Sequence, residues 1–295
     1  MNRFTMLLYG EGGTGKTTST LSFLKPANLE KEPKLCIRYL CADPNALLGI
    51  RDGIRIHKLH VKPGQLTTMV VKPTTSRNMN SKDSANEFQN NFMKLDDSDA
   101  MKVKTGVQGR IKKNLFLQIL YSIAEYKGID WVTEEVVDYG DYLDWEPNVI
   151  FVIDSLTTVL DYLGEVVRGS RQLAVISDFN AIEALLMTKV ITPISQQALC
   201  SIVLLTHAHF GLVPNVKQPK EYDQQIRQVY PRTHGQALNS VLPSKFNETC
   251  YMYIELSKYL LAGRKPGAFT STRQIPKQDK LIPDFSLYDL ITSDI

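Results

Sequence analysis

Short apolar runs alternate with longer helix-like segments along this chain. The apolar runs cover residues 4–9, 35–42, 149–153 and 201–206. Continuous apolar runs of this length are typical of strands that are buried on both faces of a parallel sheet. Helical patterns cover residues 114–126 and 178–191, and Pro193 is expected to close the second helix. The alternation predicts an α/β fold with a mainly parallel central sheet.

The C-terminal third has a different pattern. Residues 249–261 and 268–274 have the character of two strands, and the stretch Gly-Arg-Lys-Pro-Gly at residues 263–267 has the composition of a tight turn. An antiparallel hairpin is therefore expected after the parallel strands. Residues 74–113 are rich in Ser, Asn, Asp and Lys, which predicts a polar insertion within a single domain that covers residues 1–295.

Composition places the chain among globular proteins. Of its 295 residues 43% are hydrophobic and 22% are charged, which suffices for a sizeable core. No run of about eighteen apolar residues occurs, so we expect no membrane span. The four cysteines form no C-x-x-C pair and favour buried thiols over disulfides or zinc ligands. The first residues already form a predicted strand and leave no room for a signal peptide, so we expect a cytoplasmic protein.

Charge is unevenly distributed along the chain, although the net formal charge is only +3. Residues 130–165 include ten acidic residues and neither Lys nor Arg, whereas residues 216–280 include eleven Lys or Arg and five acidic residues. A basic C-terminal third is compatible with a polyanionic partner. Solvated faces explain most such runs, so charge alone does not identify the partner.

A glycine-rich loop follows the first apolar run. Residues 10–17 match the pattern G-x-x-x-x-G-K-[ST], with the predicted strand before it and the helix-like segment after it that this motif requires. Glycines allow successive backbone N–H groups to point into one concavity, which holds the α- and β-phosphates of a nucleotide. The residues expected to bind the nucleotide are Gly10, Glu11, Gly12, Gly13, Thr14, Gly15, Lys16, Thr17 and Thr18.

Two side chains of this loop have predicted chemical roles. Lys16 supplies a positive charge to the β- and γ-phosphates, and the Thr17 hydroxyl is a ligand for Mg²⁺. A second handle on the metal is expected at the end of an apolar strand next to the first one. Asp154 ends the run 149–153, whose carboxyl end faces the phosphates in a sheet of this kind. ATP and Mg²⁺ are therefore the predicted cofactors.

Hydrolysis also needs a residue that polarises the attacking water, and a residue that senses the γ-phosphate. Asp43, at the end of the run 35–42, is the candidate base, although Asp-Pro-Asn is also a strong turn sequence. Thr206 and His207, at the end of the run 201–206, suit a sensor that reports the nucleotide state to the following loop. For Thr206 and His207, ordinary packing is the alternative. A zinc site at His207 and His209 is disfavoured because no other Cys or His lies nearby in sequence.

Together these motifs resemble the RecA-like recombinase core. Residues 10–17 resemble the G-E-x-x-T-G-K-T loop of archaeal and eukaryotic recombinases, and residues 152–158 resemble their V-D-S-x-T-A stretch. Residues 206–208 fall where those proteins have T-N-Q, and residues 234–238 fall where they have G-G-x-A-L. The likeness is strongest for short phage RecA-like ATPases, some of which are single-strand annealing proteins.

The resemblance implies a RecA-like P-loop ATPase that binds single-stranded DNA and assembles into a ring or filament of identical subunits. DNA would be bound by two loops, one after the Asp154 strand and one over residues 210–234. Lys and Arg on such loops neutralise phosphates, and Tyr222 and Tyr230 would stack on bases. The expected DNA contacts are Arg168, Arg171, Lys217, Lys220 and Arg227, joined by Arg232. A solvated basic loop is the alternative.

The resemblance also implies that a basic residue reaches the γ-phosphate of a neighbouring subunit. Arg273, on the second strand of the predicted C-terminal hairpin, is the candidate, and an exposed strand-edge Arg is the alternative. Because Asp43 stands where the family has a glutamate base, we expect slow hydrolysis. Three other functions stay open: a ring-forming DNA motor (helicase or packaging ATPase), a helicase loader, and a nucleotide-gated regulatory or assembly module without DNA contact.

Overall fold

A computed structural model describes residues 2–43, 45–71, 115–168, 175–214, 225–233, 236–263, 268, 270, 280–281 and 286–292. These residues form one large mixed sheet with helices on both faces. Its strands are β1 (Thr5–Gly10), β2 (Cys36–Cys41), β3 (Leu66–Val70), β4 (Tyr126–Asp130), β5 (Val136–Gly140), β6 (Val149–Asp154), β7 (Ser201–Pro214), β8 (Gln225–Pro231), β9 (Glu248–Glu255), β10 (Lys258–Ala262) and β11 (Lys280–Leu281).

The strand order across the sheet is β11-β10-β9-β1-β7-β6-β2-β3-β4-β5, and β8 pairs with the outer half of β7. The six central strands from β9 to β3 are parallel to their neighbours. Antiparallel pairs form both edges. This arrangement confirms the predicted α/β fold with a mainly parallel sheet and a C-terminal antiparallel hairpin.

Helices connect most of the strands. They are α1 (Lys16–Thr20), α2 (Pro26–Lys31), α3 (Ala46–Ile56), α4 (Leu115–Ala124), α5 (Leu156–Arg168), α6 (Ile176–Leu186), α7 (Gln236–Val241) and α8 (Leu287–Thr292). Short 3₁₀ turns cover Leu21–Leu24, Tyr142–Asp144 and Leu242–Lys245. In the part of the chain that the structure describes, no helix is long and apolar enough to cross a membrane. All four cysteines are buried free thiols.

The core lies on both sides of the sheet, which explains the unbroken apolar runs. On one face, Leu7 and Phe151 pack with side chains of α4, α5 and α6. On the other face, Met6 and Val152 pack with side chains of α3 and α8. Because successive side chains of a strand point to opposite faces, a strand covered on both faces has no polar positions to alternate with the apolar ones.

Three sequence predictions need correction. The Asp154 strand does not lie next to β1, because β7 is inserted between β1 and β6. The helix predicted over residues 178–191 does not end at Pro193, because π-helical turns continue the path through Met187–Ile191 and Pro193–Gln197. Such wider turns accommodate a proline ring that would clash inside a regular α-helix. The run 201–206 is only the buried half of β7, which extends to Pro214 and pairs with β8.

The C-terminal hairpin is also in a different place from the predicted one. The chain reverses at Leu256 and Ser257, which both have positive φ (49° and 63°), so the single predicted strand 249–261 is in fact β9 and β10. Two consecutive residues with positive φ make a tight hairpin turn, which normally carries Asn or Gly. The predicted turn 263–267 lies almost wholly outside the described residues. Ala268 forms an isolated bridge with Val229, and β11 occupies the place beside β10.

Helix α3 packs closely against α1, the helix that follows the phosphate loop. An added Cβ at Gly49 would lie 2.8 Å from the Thr17 Cβ, and one at Gly53 would lie 3.0 Å from the Leu21 Cγ. Glycines four residues apart lie on the same face of a helix, so this pair lets α3 approach α1. The position of the phosphate loop therefore depends on α3 as well as on β1.

We predict that Gly49→Ala destabilises the protein by about 1–3 kcal/mol, because the added methyl group must displace the Thr17 side chain. This loss should appear although alanine favours a helix over glycine by about 1 kcal/mol. The measurement is the free energy of unfolding in urea. Arg51→Ala, at an exposed position of the same helix, is the control and should stay within about 0.5 kcal/mol of the wild type. Equal stability of the two variants would contradict the packing argument.

Candidate nucleotide-binding site

The phosphate loop connects β1 to α1 in a conformation that requires glycine. Gly13 and Gly15 have φ of 75° and 82°, which is the left-handed region that other residues rarely adopt. At Gly10 the constraint is space, since a Cβ would lie 2.3 Å from the Met252 carbonyl oxygen on the neighbouring β9. The structure therefore explains why glycine is required at three positions of the predicted loop.

The other side chains of the predicted nucleotide-binding residues differ in burial and in hydrogen bonding. The buried Thr14 donates a hydrogen bond from Oγ1 to the Glu11 carbonyl oxygen at 2.9 Å, which closes the loop on itself. The Glu11 side chain is exposed. Thr18 is buried and donates from Oγ1 to the Gly49 carbonyl oxygen at 3.4 Å. The Thr18 side chain thus faces α3, and any contact of Thr18 with a nucleotide would come from its backbone N–H.

Lys16 folds back over the loop and is itself buried. Its Nζ donates to the carbonyl oxygens of Gly10 at 2.9 Å and Glu11 at 2.7 Å. Burial lowers the pKa of Lys16 to about 8, although the carboxylates of Asp154, Asp43 and Glu11 raise it. The ammonium group therefore lies at the centre of the loop, where a phosphate would share it.

Thr17 and Asp154, the two predicted metal ligands, are in direct contact. The Thr17 Oγ1 donates to the Asp154 Oδ2 at 2.6 Å. Asp154 is the last residue of β6 and is buried, and the peptide that joins it to Ser155 is cis. Burial raises the pKa of Asp154 to about 6, while the Thr17 hydrogen bond lowers it. A divalent cation would compensate this poorly solvated carboxylate.

Asp43 lies beside this pair and also makes the turn that its sequence predicts. Its backbone N–H donates to the Asp154 carbonyl oxygen at 2.9 Å, because β2 and β6 are adjacent. Its Oδ1 accepts a hydrogen bond from the Asn45 N–H at 2.8 Å. Both interpretations of Asp43 are therefore compatible with the structure: the carboxylate acts electrostatically on Lys16 and Asp154, and it stabilises a turn.

His207 stands at the same edge of the sheet, opposite Gly10 in the pairing of β1 with β7. Burial lowers the pKa of His207, the charge of Lys16 lowers it further and the Asp43 carboxylate raises it. These electrostatic effects indicate that the imidazole lies near Lys16 of the phosphate loop and near Asp43, the candidate base. A γ-phosphate sensor is expected at this position. The ring is only half-buried, so it is accessible from this edge.

Thr157, which the sequence analysis did not single out as a site residue, links this histidine to the Asp154 strand. Its Oγ1 accepts a hydrogen bond from the His207 N–H at 2.9 Å and lies 3.0 Å from the Thr206 Oγ1. The link continues to the residue that follows β8, because the Arg232 N–H donates to the His207 carbonyl oxygen at 2.7 Å. The available signal was a hydroxyl three residues after Asp154, at the start of α5.

A cleft of about 440 Å³ lies beside this link, between α5 and the base of the β7–β8 pair. The residues that line the cleft do not include those of the phosphate loop. Arg232 and Asp161 approach to 3.8 Å across it, and both side chains are about half exposed. Its lining residues are Thr157, Leu160, Asp161, Ala208, His209, Arg232 and Thr233.

The structure describes only some of the predicted DNA-contacting residues. Arg168 lies in the last turn of α5 and donates from Nε to the Gly164 carbonyl oxygen at 3.1 Å. The backbone of Arg227 lies in β8 opposite Leu212. Arg171, Lys217, Lys220 and Arg273 lie outside the described residues, as does Tyr222, and their predicted roles stay predictions. Tyr230 is half-buried in β8.

Comparisons with known proteins assign this chain to no family. No protein-family model matches the sequence, and no curated protein does so either. Among solved structures, the chain is similar to the KaiC-like protein PH0186 from the hyperthermophilic archaeon Pyrococcus horikoshii OT3, with 12% sequence identity and a TM-score of 0.35. The match covers 95% of this chain and 89% of that one. At this TM-score the match establishes nothing by itself, and the fold assignment rests on the strand order and loop geometry given above.

We predict that Thr157→Val lowers the free energy of unfolding by about 1–3 kcal/mol, because it removes the hydroxyl that accepts from the His207 N–H and one of two partners of the Thr206 hydroxyl, which keeps the Arg232 carbonyl oxygen at 3.3 Å. Chemical denaturation measures the effect. Thr188→Val is the matched control, since the exposed Thr188 hydroxyl bonds only to the Ala184 carbonyl oxygen in its own helical turn. Coincident unfolding curves for the two variants would show that the link is not structurally important.

Proposed function

We propose that this protein binds ATP with Mg²⁺ and hydrolyses it. The observation that carries the proposal is the joint placement of Lys16 and the Thr17–Asp154 pair. An ammonium group is held by two loop carbonyls, and a threonine hydroxyl lies 2.6 Å from a buried carboxylate at the end of a nearby strand. A phosphate chain fits the first feature and its metal ion fits the second.

The chemistry of the residues fits Mg²⁺ held partly by the nucleotide. Among the described residues, no group of three or more His, Cys, Asp or Glu is placed to hold a metal ion by itself. Mg²⁺ is typically bound through one or two protein ligands, with phosphate and water oxygens completing the shell. Thr17 and Asp154 would hold the ion, which when bound would neutralise charge on the phosphates. The loop N–H groups and Lys16 would hold the phosphate oxygens.

Hydrolysis would then rest on two neighbouring groups. Asp43 would orient and deprotonate the attacking water, since its carboxylate acts on both Lys16 and Asp154. His207 would contact the γ-phosphate and transmit its presence through Thr157 and Arg232. Because an aspartate reaches less far than the glutamate expected at this place, slow turnover fits this arrangement better than fast turnover.

We predict that Lys16→Ala reduces ATP hydrolysis by on the order of a hundredfold or more, because it removes the charge that stabilises the γ-phosphate during transfer. The measurement is phosphate release under saturating Mg²⁺. Lys127→Ala removes the same charge at an exposed position on β4 and should leave hydrolysis unchanged. Asp154→Asn should instead raise the Mg²⁺ concentration that hydrolysis requires. Full activity of the Lys16→Ala variant would refute the proposal.

We further propose that the nucleotide controls binding of single-stranded DNA by a homo-oligomer, in recombination or replication. Two observations support this proposal. Residues 216–280 are strongly basic, and the Thr157–His207–Arg232 link joins the candidate site to the β7–β8 pair, which flanks residues 215–224. Lys217 and Lys220 lie in that segment, and Arg168 ends the helix that follows Asp154. The likeness to phage annealing proteins belongs to this proposal.

A gel shift with single- and double-stranded oligonucleotides tests the DNA proposal. We expect a non-hydrolysable ATP analogue to strengthen single-strand binding, and added salt to weaken it because phosphate contacts release counterions. A Lys217→Ala/Lys220→Ala variant should bind more weakly than Lys127→Ala. No binding under any condition would favour a regulatory or assembly module. ATP-driven strand unwinding or translocation would favour a motor, and stimulation of a helicase without either would favour a loader.

A further inference from the structure

The helix after the phosphate loop is unusually dependent on its surroundings. Helix α1 has only five residues, Lys-Thr-Thr-Ser-Thr, and passes directly into a 3₁₀ turn. Threonine and serine are poor helix formers, and so short a helix is not stable alone. Two of its hydroxyls bond back to its own carbonyls: Ser19 Oγ to Lys16 at 2.7 Å and Thr20 Oγ1 to Thr17 at 2.7 Å. Such bonds compete with helical ones and do not stiffen the turn.

Side chains from other elements hold this turn. The imidazole of His57, at the end of α3, lies 3.1 Å from the Thr18 carbonyl oxygen through its Nε2. The phenol of Tyr39, on β2, is hydrogen-bonded to the Thr20 hydroxyl and also donates to the Thr17 carbonyl oxygen at 3.3 Å. Tyr39 is fully buried. Its bonds therefore replace intrahelical partners that the last carbonyls of a short helix lack.

The Tyr39 phenol joins the two halves of the candidate metal site. One half is Thr17, whose hydroxyl donates to Asp154 and whose carbonyl oxygen accepts from Tyr39. The other half is β6, which pairs with β2 so that Tyr39 is opposite Val152, two residues before Asp154. Tyr39 thus connects the turn that carries the Thr17 hydroxyl to the strand beside the one that carries the carboxylate.

Packing alone does not explain a tyrosine at this position. Tyr39 belongs to an apolar cluster with Ile37, Leu8 and Val152, where phenylalanine would fill nearly the same volume. Burying a hydroxyl costs free energy unless it is hydrogen-bonded. The hydroxyl of Tyr39 is therefore explained by its contacts with α1 and not by packing.

We propose that Tyr39 is a positioning residue for the metal: its buried phenol holds the first turn of α1 so that Thr17 and Asp154 jointly bind Mg²⁺. The inference rests on the proposed function. It goes beyond it by giving a role to a side chain that touches neither nucleotide nor metal. Mg²⁺ demands near-ideal octahedral geometry at about 2.0–2.1 Å, so small displacements of the Thr17 hydroxyl weaken its binding.

Tyr126 provides a matched control within the same core. Its phenol is fully buried too, and its single O–H lies between two acceptors, the Tyr39 carbonyl oxygen at 2.9 Å and the Thr67 carbonyl oxygen at 3.1 Å. Those two acceptors belong to β2 and β3. Tyr126→Phe therefore removes a hydroxyl whose hydrogen bonds, among the described residues, stay within the sheet, and both Tyr→Phe variants should lower the unfolding midpoint.

The experiment measures affinity for a non-hydrolysable ATP analogue by calorimetry, as a function of Mg²⁺ concentration and with EDTA. Tyr39→Phe should raise the Mg²⁺ concentration for half-maximal affinity by about fivefold, the value of one ordinary hydrogen bond. Tyr126→Phe should leave that concentration within about twofold of the wild type, because the bonds it loses are to β2 and β3 and not to α1. In EDTA, where the loop and Lys16 alone hold the phosphates, all variants should bind as the wild type does.

Thr20→Val tests the same contact from the helix side and keeps the shape of the buried side chain. It should raise the Mg²⁺ concentration for half-maximal affinity, as Tyr39→Phe should. If Tyr39→Phe does not fold, Thr20→Val tests the inference in its place. Identical Mg²⁺ dependence of the Tyr39→Phe and Tyr126→Phe variants would overturn the inference. An equal loss of affinity in EDTA would do so as well, because it would show general damage to the loop. A wild type without Mg²⁺-dependent nucleotide affinity would refute the proposed function itself.

Discussion

Two opposite charges buried in one site, the ammonium of Lys16 and the carboxylate of Asp154, constrain the structure around them. Burial lowers the pKa of Lys16 to about 8 and raises the pKa of Asp154 to about 6. The surrounding protein groups therefore replace only part of the solvation that water would give each charge. The charges persist because Lys16 is held by loop carbonyls and Asp154 by the Thr17 hydroxyl. A phosphate chain with a divalent cation would supply a counter-charge to each group, which is the physical basis for proposing that ligand.

The strand order determines what else reaches this pair. With β7 inserted between β1 and β6, the middle of β7 lies between the loop and Asp154, and His207 is carried to the same edge. With β2 on the far side of β6, Asp43 follows at the next position. The carboxyl ends of parallel strands thus bring four polar side chains together from distant parts of the sequence, as expected at such an edge.

The parts that sequence could predict are those with a local physical cause. The loop glycines could be found because positive φ at Gly13 and Gly15 restricts the residue type. The buried strands could be found because burial on both faces leaves an unbroken apolar run. The order of the strands could not, since the runs of β6 and β7 are equally apolar and nothing in either specifies its neighbour. The turn at Leu256 was missed because neither turn residue there is a glycine or asparagine.

The contacts that organise the site were the hardest to foresee, because each joins residues far apart in the chain. Thr157 matters through a bond to the backbone of His207, and Tyr39 matters through a bond to the backbone of Thr17. Neither contact leaves a spacing or composition signal, since the acceptor or donor on the other side is a peptide group that every residue has. A motif therefore identifies the groups that would meet a ligand, whereas the side chains that hold those groups in place can be recognised only once the fold has brought them together.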